Sequence, residues 1–312
     1  MDERITKINI MEINEIKNFS NEIVSKIYID YDLKKSNWFN IGGKTKVYFK
    51  PESLSDLVLF IKKFGKEEKI HILGAGSNTL VNDKTFEGVV IKLGKNFSNI
   101  SLLSKNIIVA GSACSDKKLS EFAMDNGLGG LEFLACIPGT VGGGLKMNAG
   151  CFNKEFKDIL VSIQAIDRQG RVITIPAEKV LFKYRNNDLS EDLIFLSASF
   201  SGIQKDQNKI RKEITEMKNK KENTQPTKIK TSGSTFKNPM SQTSKKVWQL
   251  IKESVPLDVS FGDACISSKH CNFFVNKNNA SFNDMYKLIE FVRESVEKKT
   301  GIKLEKEIKI LE

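Results

Sequence analysis

Histidine is nearly absent from this chain: His71 and His270 are the only two in 312 residues. The five cysteines (Cys114, Cys136, Cys151, Cys265, Cys271) form no C-x-x-C pair. A zinc centre needs clustered ligands of these two kinds, so no metal site is expected. The odd cysteine count reads as reduced, mostly buried thiols, not a disulfide framework. Long apolar runs are missing too. None approaches the roughly 18 residues that cross a bilayer, so no membrane span is expected. Residues 1–18 alternate charge with isoleucine and lack a continuous apolar stretch, so no signal peptide is read and the expected compartment is the cytoplasm. The net charge is +11, yet there is no arginine-rich arm and no aromatic-plus-basic module. The lysines are spread along a chain rich in Lys, Asn and Ile. Nucleic acid is therefore not an expected partner, and the positive field suits phosphorylated small molecules.

What the chain does hold is glycine in two telling places. Residues 131–150 read LEFLACIPGTVGGGLKMNAG, with a Pro138-Gly139 turn, consecutive Gly142, Gly143 and Gly144, and a close at Asn148-Ala149-Gly150. Almost no side chain projects between Pro138 and Gly144, so backbone N–H groups there can approach an anion. Taken alone, the run reads equally as a tight turn. Upstream, Ile70, Ile72 and Leu73 form a short strand running into Gly74-Ala75-Gly76-Ser77-Asn78. Thr79 stands where a dinucleotide fingerprint needs its third glycine, and no Gly-Lys-Ser/Thr ending makes it a Walker loop. Two glycine loops from separate elements suit a dinucleotide better than a mononucleotide. His71, inside the apolar strand, reads as structural.

The remaining pattern gives an alternating α/β chain long enough for two or three domains. Helices are expected at 53–65, capped by Ser53 or Ser55, at 116–126, 205–222, 243–253 and 282–299, the last closed by Gly301. Strands are expected after Gly42-Gly43 toward Pro51, at 89–93 and 107–110, and as an antiparallel run at 159–166, 172–175 and 193–200. Another covers 272–276. Residues 1–27 read as polar helical segments. The end, IKLEKEIKIL, reads as a strand with Glu305 and Glu307 on one face and Ile302, Leu304, Ile308 and Ile310 on the other. The polar connector 223–230 marks a domain boundary.

Six segments then occur in one order: GAGSNTLVND, LEFLACIPGTVGGGLKMNAG, FKYRNN, SGSTFKNP, SKHCNFFVN and LEKEIKIL. From about residue 35 onward the chain closely resembles the UDP-N-acetylenolpyruvoylglucosamine reductases, flavoenzymes of bacterial peptidoglycan synthesis. The resemblance implies an α/β (α+β) fold. Its parts are an FAD-binding module of the PCMH, vanillyl-alcohol-oxidase type over 28–204 (subdomains about 28–95 and 96–204), a helix and connector over 205–230, and a substrate domain over 231–312 whose last strand returns to the flavin site. Residues 1–27 stay an extension without assigned role.

The same resemblance implies site residues. Gly74, Ala75, Gly76, Ser77, Asn78, Thr79 and Leu80, with Ile137, Pro138, Gly139, Thr140, Val141, Gly142 and Gly143, hold the FAD pyrophosphate through backbone N–H groups. Asn148, Ala149 and Gly150 lie near the flavin, while Pro51, Gly42 and Gly43 shape the adenine end. Ser234 is the general acid; Arg185 and Glu307 polarise the substrate carboxylate. Lys237 and Asn238 are candidates for the UDP diphosphate. FAD is non-covalent, NADPH is the hydride donor, the substrates are small molecules and the protein is a monomer.

Taken singly, Arg185 reads as a surface partner of Asp188, Ser234 as a cap and Glu307 as half of a solvated pair. Asn187, Asn40 and Cys271 depart from the usual family residues, and the short span from Phe200 to Ser234 resembles the lidless type. Two other readings stay open: an alcohol or lactone oxidase on the same scaffold, though GAGSN lacks the usual tethering His or Cys, and a basic nucleotide-binding protein without flavin.

Overall fold

The computed structural model describes residues 13–227 and 229–312; the reading of residues 1–12 lies outside them. Helix α1 (Ile13–Ser20) turns Ile16 and Phe19 inward. Phe19 meets Phe60 and Phe64 of α2 (Leu54–Phe64) edge-on, at ring centroids 5.9 and 5.3 Å apart. The helical reading of residues up to 27 holds only to Ser20, because Lys26–Asp32 pairs antiparallel with Lys44–Lys50. The Ser53 hydroxyl accepts the Asp56 N–H and so starts α2. Asp56 in turn accepts from the Ser25 N–H and hydroxyl. The first sheet runs in the order Lys26–Asp32, Lys44–Lys50, Phe86–Ile91, Ile70–Ile72, and its last two pairings are parallel.

The second sheet is antiparallel, in the order Val172–Pro176, Leu160–Ile166, Ile194–Ser201, Ile107–Gly111, Ile100–Ser104. Sequence reading misses the edge strand Ile100–Ser104, whose ISLLS is mostly exposed and carries no alternating pattern. Helix α3 (Asp116–Asp125) packs over this sheet, capped by Ser115.

The triple glycine is not the open loop expected of it. Thr140 caps a short helix, α4 (Val141–Lys146), that contains all three glycines. A Cβ on Gly144 would stand 2.3 Å from the Phe156 ring, and one on Gly142 would stand 3.0 Å from Ser112 Cβ. These glycines serve close packing. Gly144→Ala gains about 1 kcal/mol of helix propensity but forces the fully buried Phe156 off its position, at a cost of about 1–3 kcal/mol. A lowered melting temperature is expected by calorimetry, and an unchanged or raised one would refute this packing role.

Beyond α5 (Gln207–Thr224) lie α6 (Val247–Ser254), a three-stranded sheet (Ser260–Phe261, Ala264–Ile266, Phe274–Asn276) and α7 (Phe282–Thr300). Ser281 caps α7 in a capping box, and Gly301 ends it in the left-handed conformation. Its stripe of Met285, Leu288, Ile289, Val292 and Val296 packs with Leu250, Ile251, Phe236 and Phe274. Helix α6 begins at Val247, four residues later than the apolar pattern predicts. Phe39, Ile41 and Leu80 are buried in this same core, so the carboxy-terminal core draws on residues far upstream of the connector.

The final segment also differs from expectation. Only Lys309–Leu311 is a strand, parallel to Thr79–Val81. Leu311 is buried where the alternation predicts Ile310 inside. Glu305 is 75% exposed, while Glu307 is 17% exposed and its carboxylate pairs with Arg185.

Candidate active site

The first glycine loop connects Ile70–Ile72 to Thr79–Val81. Gly76 is left-handed (φ 66°), and a Cβ there would meet the Ser36 carbonyl oxygen at 2.3 Å. Only glycine fits that crossing. The second loop lies against the first: a Cβ on Gly74 would stand 2.7 Å from Thr140 Oγ1, and one on Gly139 would stand 3.9 Å from Ser77 Oγ.

Accounting for the backbone donors separates the two loops. Among the described residues, no protein acceptor takes the N–H of Gly74, Ala75, Gly76, Ser77 or Asn78, nor that of Gly139 or Thr140. Most expected donors of the second loop are committed within the protein. Ile137 donates to Leu134 O, Val141 to Cys114 O and Gly142 to Ser112 O, and Gly143 makes a long bond to Thr140 Oγ1. Pro138 has no N–H. Leu80 and Val141 are wholly buried. The N–H groups of Ile137, Val141 and Gly142 are therefore spent within the protein and that of Gly143 is only weakly engaged, which leaves the amides of residues 74–78 with Gly139 and Thr140 as the uncommitted donors among the described residues of the two loops.

The catalytic candidates converge from three distant parts of the chain. Arg185 sits left-handed (φ 56°) between the short paired strands Phe182–Lys183 and Asn186–Asn187. Its Nε donates to Glu307 Oε1 at 2.8 Å and its Nη2 to Gly150 O at 2.8 Å, with Tyr184 beneath the guanidinium, 4.9 Å from Cζ. Asp188 instead accepts the Leu181 N–H. Glu307 donates its N–H to Thr235 O, and its carbonyl accepts Asn78 Nδ2 at 3.0 Å. That last bond ties the Glu307 backbone to the first glycine loop. Burial raises the Glu307 pKa above the usual carboxylate range, and Arg185 opposes the shift.

Ser234 precedes Thr235 on the same extended stretch, bridged to Phe273, and its hydroxyl has no protein partner among the described residues. Beside it, Gly233 is left-handed with open space around its Cα. Lys237 donates to Glu305 Oε2 at 3.3 Å. Asn238 has a structural task, since its Oδ1 accepts the Val247 N–H that opens α6 and its Nδ2 reaches the Tyr184 hydroxyl. Asn187, one of the unusual residues, donates to Leu145 O and Lys146 O and so closes the end of α4. Asn148 is also not free: it is fully buried and every polar atom is satisfied by protein.

Other groups of the chain have shifted pKa values. His71 is held neutral by burial, which lowers its pKa to about 4. Cys136 and Cys151 flank residues 137–150, and Cys151 Sγ donates to Phe133 O at 3.3 Å; the neighbouring thiol, with Lys221 nearby, holds Cys136 down at about 7, while Cys151 is pushed up. All five cysteines are free thiols. Asp116, under Gly139, is 0% exposed, neither carboxyl oxygen is hydrogen-bonded among the described residues, and burial raises its pKa well above the usual range. With the folded pKa raised, the folded state binds the extra proton. Stability is then greatest below the unfolded pKa and falls as pH rises toward the folded one, by up to about 1.4 kcal/mol per pH unit. Asp116→Asn lacks this loss, so its melting temperature relative to the parent should rise as pH increases above the unfolded carboxylate pKa. A pH-independent difference would contradict the assignment.

Among the described residues no helix is long and apolar enough to cross a membrane, and no group of three His, Cys, Asp or Glu residues gathers for a metal. Residues 45–176 match the family model described as an FAD binding domain. Together with the free amides of the two loops, this defines an FAD-dependent oxidoreductase. Residues 225–311 match the carboxy-terminal domain of UDP-N-acetylenolpyruvoylglucosamine reductase. A Pelagibacter ubique protein of that name is 76% identical over 301 residues, covering 96% of this chain and all of the relative. One from Rickettsia conorii is 44% identical over 280 residues, covering 90% and 94%. The crystal structure of the Thermus caldophilus enzyme of that name superposes with a TM-score of 0.78 at 28% identity, over 92% of this chain and 99% of the other. The chain belongs to the UDP-N-acetylenolpyruvoylglucosamine reductase family.

Proposed function

We infer that this chain reduces UDP-N-acetylglucosamine enolpyruvate to UDP-N-acetylmuramate for peptidoglycan synthesis, with NADPH as donor and non-covalent FAD as carrier. The observation that supports this reading most is the 2.8 Å Arg185–Glu307 pair, tied through Asn78 to the first glycine loop. The uncommitted amides of residues 74–78 with Gly139 and Thr140 would hold FAD, which would supply hydride-carrying chemistry between NADPH and C3 of the enolpyruvyl ether.

The protein's own residues handle the chemistry at C2. Addition at C3 leaves carbanion character at C2, delocalised into the substrate carboxylate. Arg185 keeps N–H donors beyond those given to Glu307 and Gly150, and a fixed guanidinium stabilises that charge without transferring a proton. Ser234 supplies the C2 proton; among the described residues its hydroxyl has no competing protein acceptor, and a weak acid suffices against a strongly basic carbanion. Glu307 orients Arg185. Lys237 serves the UDP diphosphate, and Asn238 assists by setting the start of α6. The domain limits proposed are an FAD module over 28–204 and a substrate domain over 231–312, acting as a cytoplasmic monomer.

The test is an anaerobic single turnover. The purified protein is reduced with one equivalent of NADPH, the enolpyruvyl substrate is added and the flavin band is followed. Prompt return of the oxidised band supports the reading. Return only on admitting oxygen would keep the flavin scaffold and reject the substrate.

A further inference from the structure

Arg185 carries a long side chain, and its usefulness to a carboxylate depends on how firmly the guanidinium is held before the ligand arrives. Three protein oxygens surround it besides Glu307: Gly150 O at 2.8 Å, Asn148 O at 3.5 Å and Glu155 Oε1 at 3.9 Å. Two of these belong to the turn that Asn148 sets. Asn148 is left-handed (φ 40°), a conformation asparagine tolerates better than most residues but rarely holds unaided. Here its side chain is anchored three times. Nδ2 donates to Glu155 Oε2 at 2.9 Å and to Lys183 O at 3.1 Å, and Oδ1 accepts the Lys157 N–H at 3.1 Å. Its own N–H donates to Leu145 O. An asparagine side chain has two donors and one acceptor group, all used here, so nothing polar remains for the flavin that the sequence placed beside it. Glu155 is itself steadied by Lys157 Nζ at 3.1 Å.

We propose that Asn148 and Glu155 are positioning residues for the reduction: the Glu155–Asn148 hydrogen bond fixes the 148–150 turn, whose carbonyls aim Arg185 at the substrate carboxylate. This rests on the reading of Arg185 as the carboxylate-binding group. Glu155 lies farther from the guanidinium than Glu307 does, so its effect passes through Asn148 more than through direct charge.

The test compares two ligands on the FAD-loaded protein by calorimetry. UDP-N-acetylmuramate carries a carboxylate, whereas UDP-N-acetylglucosamine lacks it. Glu155→Ala should weaken the first about tenfold or more and leave the second within about twofold, a split that a general loosening of the fold does not produce. Glu155→Gln, which still accepts from Asn148 Nδ2, should restore the first to within about threefold. Asn148→Asp keeps the shape but loses both donors, and should reproduce the selective loss if Glu155→Ala does not fold. Equal weakening of both ligands, or of neither, overturns the proposal. Arg185→Ala is the control. If it fails to weaken UDP-N-acetylmuramate selectively, the reading of Arg185 itself is wrong; if it does so while Glu155→Ala and Asn148→Asp do not, only the positioning role falls.

Discussion

With Arg185 replaced by alanine, reoxidation of the NADPH-reduced protein by the enolpyruvyl substrate should slow about 10³-fold, equivalent to roughly 4 kcal/mol of barrier. Two losses combine. The charge that stabilises the developing enolate disappears, and Glu307, mostly buried and raised by that burial, is left facing the substrate carboxylate without its partner. The second loss is pH-dependent. Where Glu307 is protonated the repulsion vanishes, so the variant should recover part of its rate as pH falls while the parent does not. Arg185→Lys restores the charge but not the planar fork that serves Glu307, Gly150 and a ligand together, and an intermediate deficit of about 10–100-fold is expected. Stopped-flow absorbance checks both variants, and reduction by NADPH serves as the internal control. A deficit below tenfold for the alanine variant would remove Arg185 from the chemistry.

Ser234→Ala should slow the same half-reaction by about 10²–10⁴-fold, the usual contribution of a positioned general acid. The deleted oxygen has no protein partner among the described residues, so melting temperature and FAD content should stay near those of the parent. That combination separates a chemical from a structural role. If the substrate half-reaction kept its rate, the C2 proton would have to come from elsewhere, and the neighbouring hydroxyl, on Thr235, is buried at 0% exposure.

Much of the fold is legible in the sequence because its signals are local. Ser53, Ser115 and Ser281 cap the helices they precede, and Gly301 stops α7. The antiparallel run around Leu160–Ile166 follows its apolar pattern. Expectation and structure part where a neighbour outside the local segment decides. Lys26–Asp32 is a strand because Lys44–Lys50 pairs with it. Gly142 and Gly144 are glycine because Ser112 and Phe156 press on them, which loop flexibility alone does not reveal. For the site, the ordered segments of the chain pointed to Arg185, Ser234 and Glu307 through family resemblance, since each residue by itself reads as ordinary surface chemistry.

By itself the sequence determined the existence of the main helices, the glycine turn at residues 74–78 and the family, all of which depend on residue types at short, fixed spacings. Only the tertiary structure decided which loop amides lack a protein acceptor among the described residues, that the Asn148 side chain is committed to Glu155, Lys183 and Lys157, and that Phe39, Ile41 and Leu80 complete the carboxy-terminal core. The physical reason is that a hydrogen bond or a packed ring is settled by its partner. Here the partners are remote: Arg185 meets Glu307 across 122 residues, and Asn78 meets it across 229.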